Sequence, residues 1–148
     1  MRTLDDERIS RQITLDRVAT QLAKFRDGTL SSNWMNFRLP RSSVDVYLRN
    51  GRRVYEDRLH RTLEVACIGA RSPGRGAGML FVSIAESVAR DADILPFIES
   101  VNNAGFLERL LAVGYKIQPG HEGMEIDGKI IGASVFLPKS VVREKIKV

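Results

Sequence analysis

The chain has 148 residues, 43% of them apolar and 28% charged, with a formal net charge of +5. That length suits a single domain, 1–148, with a self-sufficient hydrophobic core. One cysteine excludes an intramolecular disulfide, two histidines beside it make no zinc-ligand pattern, and no apolar run approaches the roughly 20 residues that span a bilayer.

The first 13 residues are polar and are expected to be loosely ordered. MRTLDDERIS has no apolar stretch of the signal-peptide kind, so a cytoplasmic setting without membrane contact is expected. Between Thr14 and Arg26, Leu15, Val18, Ala19, Leu22 and Phe25 recur at helical spacing, with Thr14 as N-cap and Asp27-Gly28 as the stop. TLSSNWMNFRLPRSS reads as irregular because Pro40 opposes regular structure, and Trp34 and Phe37 read as core plugs rather than a lid. VDVYLRN alternates as a strand, and Asn50-Gly51 is a hairpin signal that predicts a turn there and a returning strand from Arg52. TLEVACIGA is a further strand.

Next comes RSPGRGAG, residues 71–78, followed by a largely apolar helix carrying Met79, Leu80, Val82, Ile84, Ala85 and Val88. ILPFIESV has strand character broken early by Pro96. Asn103 is expected to cap a helix that turns Phe106, Leu107, Leu110, Leu111 and Val113 to the core and ends at Gly114 in the left-handed region. YKIQ begins a strand, Pro119-Gly120 turns, and IIGASVFLP supplies the last strand. Strands before and after a crossover helix imply an α/β chain with a mixed, mostly antiparallel central sheet and helices on both faces.

A strand that ends in a glycine-rich turn and opens a helix is a recurrent anion site. Unpaired N–H groups and partial positive charge sit at the helix start, and glycine permits close backbone approach. The Walker pattern fails for want of Gly-Lys-Ser/Thr, and antiparallel strands before the loop argue against a Rossmann fingerprint. The loop joined to ESVNNAGFLERLLAVGY, with Asn103, Leu110, Gly114 and Tyr115 at matching offsets, resembles the GNAT superfamily of N-acetyltransferases. The likeness covers roughly residues 44–137 and is nearest to small GNAT-like proteins of phages and prophages, through VYLRNGRRVY, LEVACI and ESVNN.

The resemblance implies acetyl-CoA as cofactor, its pyrophosphate held by an Arg-x-x-Gly-x-Gly loop. Two registers satisfy the loop. Arg71 to Gly76, with Gly74 and Arg75 between, fits literally. Arg75-Gly76-Ala77-Gly78-Met79 fits the shifted form, which lets Met79 bury and turns the N–H groups of 76–79 to phosphate. The resemblance also implies pantetheine lying along the backbone of Cys67, Ile68, Gly69 and Ala70, with Asn103 part of the cofactor-binding set. Cys67 itself reads as a small buried strand residue. Glu64, eleven residues before Arg75, is the candidate general base, with Glu99 a second carboxylate and Tyr47, Tyr55 and Tyr115 candidate donors; Tyr115 is better explained as packing. The family's usual tyrosine acid falls on Leu110, which cannot donate a proton.

The implied activity is acetyl transfer to an amine on a small molecule or protein. A catalytically silent interaction protein of the same fold, binding a host factor or nucleic acid, stays open as the alternative. Arg38, Arg41, Arg49, Arg52, Arg53, Arg58 and Arg61 raise the potential for anions. Asp45, Glu56 and Asp57 interrupt them, however, so a solvated basic face is favoured over a nucleic-acid stripe. Self-association into a homodimer through a sheet edge is a further candidate. His60 and His121 read as surface or loop residues.

Overall fold

The computed structural model describes residues 16–28, 34–38, 44–70, 77–141 and 143; for 37, 38, 44, 45, 67–70 and 77 it describes the backbone alone. Thr14, the first 13 residues and the loop residues Arg71, Gly74, Arg75 and Gly76 lie outside the described residues. The first helix, α1, covers residues 16–26 and buries Val18, Leu22 and Phe25, the stripe its periodicity predicts. Gly28 follows at φ +72°, a backbone state that costs glycine nothing.

Two expectations for the next segment are corrected. Trp34–Arg38 is not irregular but a strand, β1, paired antiparallel with β2, Val44–Tyr55. Its order comes from that partner, which local pattern does not reveal. Trp34 is no core plug either: it is 51% exposed and stacks on Tyr47, ring centroids 5.8 Å apart.

The second correction concerns Asn50-Gly51, which does not turn. β2 runs straight through it, and the hairpin to β3 (Arg58–Ala70) closes at Glu56-Asp57, with φ 51° and 61°. Asn50 and Gly51 serve tertiary contacts instead. Asn50 Nδ2 donates to the Phe25 carbonyl at 2.7 Å, tying the strand to α1. A Cβ on Gly51 would meet Glu64 Oε2 at 2.6 Å and Thr62 Oγ1 at 3.0 Å. Glycine is there because a buried carboxylate lies against the backbone. Gly51→Ala should therefore cost about 2 kcal/mol, the range of an overpacked interior site, read as a lowered denaturant midpoint.

Beyond the loop come α2 (Ala77–Asp91), β4 (Leu95–Val101), α3 (Ala104–Ala112) and β5 (Lys116–Ile117). Pro96 lies inside β4 without breaking it: it is the strand's second residue, and pairing to β8 starts at Phe97. Gly114, at φ +107°, ends α3 as expected, while Val113 is 39% exposed and not a core residue. The last expected strand is split. β6 (Met124–Ile126) and β7 (Lys129–Ile131) form a separate hairpin around Asp127-Gly128, and Gly132 at φ +83° separates it from β8 (Ala133–Phe136).

The mixed, mostly antiparallel sheet is as expected: six strands in the order β1-β2-β3-β4-β8-β5, with β3 and β4 the parallel pair. One face carries Val46, Leu48, Leu63, Val65, Ile98 and Val135. All three described helices join it in a single core through Val18, Leu22, Phe25, Phe81, Ala85, Leu107 and Leu110. On the other face, where helices were also anticipated, the described residues place Tyr55, Leu95, Phe97 and Phe136 beside a cluster of charges. Among the described residues no helix is long and apolar enough to cross a membrane.

Candidate functional site

β3 and β4 pair from Thr62↔Leu95 to Val65↔Ile98 and no further, although β3 continues to Ala70 and β4 to Val101. Each strand is irregular just past that last pair. In β3 the register jumps from Leu48↔Val65 to Tyr47↔Cys67, leaving Ala66 without a partner. In β4, Ile98↔Val135 is followed by Val101↔Ala133, so Glu99 and Ser100 share the space of Ser134. Ser100 takes φ 49°, and its N–H donates to Ser134 Oγ at 3.0 Å. A bulge bends its strand and increases its twist. Two bulges at one level make the strands diverge there.

The divergence leaves the β3 edge at Cys67, Ile68, Gly69 and Ala70 paired only to β2 among the described residues. Extended backbone with its N–H and C=O groups free on one side can accept an extended ligand as an added strand. α2 begins at Ala77, so Ala77, Gly78 and Met79 supply first-turn N–H groups without intrahelical acceptors. Met79 packs against the core. The first turn holds no acidic side chain that would oppose an anion.

Asn103 is the N-cap of α3: its Oδ1 accepts the Phe106 N–H at 2.9 Å. This bond occupies the side-chain oxygen. Asn103→Ala should cost about 1 kcal/mol of stability, with Asn103→Asp close to the parent, in thermal or denaturant unfolding.

Glu64, 3% exposed, faces away from the helical core at the centre of the charge cluster. Arg49 Nη2 donates to its Oε1 at 2.9 Å, Arg53 Nε to Oε2 at 2.9 Å and Thr62 Oγ1 to Oε2 at 2.7 Å. Burial alone would raise the Glu64 carboxyl. The hydrogen bonds from Arg53 and Thr62, the Arg53 charge and the Arg49 bond outweigh it and hold the group below its usual range. Arg53 also covers the Phe97 ring, 4.3 Å from its centroid. Arg49 Nη2 reaches a second carboxylate, Glu99 Oε2, at 2.6 Å, and Glu99 sits at the start of the divergence with a third of its side chain exposed.

The candidate proton donors are dispersed. Leu110 is fully buried in the core. The Tyr115 hydroxyl donates to Glu86 Oε1 at 3.2 Å, and burial raises its pKa. Burial likewise raises Tyr55, which stacks on Phe136 at 4.0 Å and whose hydroxyl has no partner among the described residues. His60 lies 6.1 Å from the Tyr55 ring, and His121 is exposed outside any strand or helix. No metal-holding group of His, Cys, Asp and Glu occurs among the described residues. Sequence reasoning missed Arg49 and Arg53 as partners of Glu64. The signal was present as Arg49-x-Gly51-x-Arg53 against Thr62-x-Glu64, and the presumed turn at Asn50-Gly51 hid it.

The fold and site define an α+β domain with a diverging parallel strand pair and a helix opening just beyond it. Comparison with protein-family models, curated proteins and solved structures finds no match for this chain.

Proposed function

We propose that the chain is an acetyl-CoA-dependent N-acyltransferase of GNAT type that acts on an amine in the cytoplasm. The observation that carries this reading is the paired bulge at Ala66 and Glu99-Ser100, past which β4 no longer pairs with the β3 edge that precedes α2 in the chain. The backbone of Cys67–Ala70, paired only to β2 among the described residues, suits the amide-bearing pantetheine arm, and the first-turn N–H groups of Ala77–Met79 suit a pyrophosphate. A helix start at Ala77 and the packed Met79 favour the shifted loop register, with Arg75 and Gly76 just before the helix.

Acetyl-CoA supplies an acyl group on a good leaving thiolate. The transfer makes a carbon–nitrogen bond, breaks the carbon–sulfur bond and moves one amine proton to sulfur. The amine must be neutral to attack, so a carboxylate near it helps by taking its proton. Glu64 is committed to two arginines and is a weak base. In this reading Glu99, whose Oε1 has no partner among the described residues, takes the proton and Glu64 orients Arg49.

Isothermal titration with acetyl-CoA and CoA tests the cofactor. Saturable heat with mutual competition supports the reading, and no heat at millimolar ligand rejects it. A second reading, a catalytically silent interaction protein, is favoured by Leu110 buried where the family's acid would stand and by the Tyr115 hydroxyl tied to Glu86. Acetylation of any amine in a lysate by the wild-type chain, absent with the Glu99→Gln variant, would count against it.

A further inference from the structure

On the core side of the sheet, the β2–β3 hairpin outruns its cover. Val46 and Leu48 on β2 and Leu63 and Val65 on β3 are buried in the core. Strand alternation continues that face through Arg52 and Val54 on β2 and through Arg61 and Leu59 on β3. Val54 and Leu59 are cross-strand partners, yet they are 63% and 64% exposed. Arg52 and Arg61, also partners and both exposed, form the rung two residues nearer the core. Two residues to the other side lie Glu56 and Asp57, exposed in the turn. Along this face the hairpin therefore carries a positive pair, an apolar pair and a negative pair, each step about 7 Å.

These charges are not matched within the chain. The side chains of Arg52, Glu56 and Asp57 have no partner among the described residues. Arg61 Nη2 donates to the Arg26 carbonyl at 3.2 Å, a neutral group, and the neighbouring Asp27 is held by Arg26 at 2.8 Å. Like charges directly opposite one another on paired strands are destabilising, as Arg52 and Arg61 are here. A nucleic acid or an anionic lipid surface would relieve the arginines but meet the two carboxylates at the tip. The pattern instead complements its own reverse. A second hairpin laid face to face and end for end sets Val54 and Leu59 of each copy against those of the other. Each arginine pair then stands over a carboxylate pair, twice over, and the contact closes at two copies.

We propose that the chain forms a two-fold dimer through this face of the β2–β3 hairpin, independently of the acyl-transfer reading. One apolar rung with its flanking charges is small beside a standard interface, so the dimer is weak, concentration-dependent and loosened by salt.

Sedimentation equilibrium of the full chain tests it, in low and in high salt, at concentrations up to about 1 mM. The expected result is a monomer–dimer equilibrium that shifts to monomer as salt rises. Val54→Thr with Leu59→Thr keeps strand-compatible side chains at exposed positions and should weaken dimerisation at least about tenfold. Two charge-reversed chains give the sharper readout, each checked for folding by circular dichroism. Arg52→Glu with Arg61→Glu makes both ends of the face negative, and Glu56→Lys with Asp57→Lys makes both positive. Each alone should be monomeric, and an equimolar mixture should recover a heterodimer. A wild-type chain that stays monomeric throughout overturns the proposal, as do assemblies larger than a dimer. So does undiminished dimerisation of the threonine variant, or a mixture of the folded reversed chains that forms no heterodimer.

Discussion

Glu64→Ala should destabilise the chain by about 3 kcal/mol, the lower end of the cost of stripping one partner from a buried ion pair. The carboxylate is 3% exposed and serves two guanidinium groups, with side chains 35% and 22% exposed. Removing it leaves Arg49 and Arg53 repelling each other on one face of β2, while Thr62 loses its acceptor. Partial exposure lets both arginines recover some hydration, which places the loss at the lower end. Equilibrium denaturation measures it, and a cost under about 1 kcal/mol, the worth of a surface pair, would refute this account. The pH dependence has a definite sign. Because folding holds the Glu64 pKa below its unfolded value, the stabilisation is fully present above about pH 4.3. It is lost as pH falls through the folded pKa. Acid unfolding curves of Glu64→Ala should be correspondingly flatter in that range.

Gly78→Glu separates ligand binding from stability. Gly78 lies in the first turn of α2. Glutamate there gains about 0.5 kcal/mol of helix propensity over glycine, and its carboxylate near the helix N-terminus adds about 0.3–1 kcal/mol. The same charge stands where the acyl-transfer reading puts a pyrophosphate. The expected outcome is an unchanged or raised melting temperature with CoA affinity at least about tenfold weaker. Equal CoA affinity in parent and variant would place the pyrophosphate elsewhere.

Much of the fold was legible from local pattern. The α1 stripe of Val18, Leu22 and Phe25, the Asn103 cap and the Gly114 stop are written in residues whose preferences depend on their chain neighbours. The hairpins show where that logic ends. Asp127-Gly128 turns, Asn50-Gly51 does not, and Glu56-Asp57 turns without glycine. A dipeptide's ease at positive φ permits a turn, but the partner strand decides whether one forms. At Asn50-Gly51, the Phe25 carbonyl and the Glu64 carboxylate made the extended path the better one.

Composition and periodicity by themselves determined the α/β class, its helical core stripes and a glycine-rich stretch ahead of α2. Tertiary structure alone decided that Trp34 faces outward, that Glu64 is locked between two arginines and that β3 and β4 part beyond Val65 and Ile98. Register, bulges and ion pairing join residues 15 to 50 positions apart, as between Arg49 and its two carboxylates. Their energies depend on which strands become neighbours, and no local window of the chain contains that information.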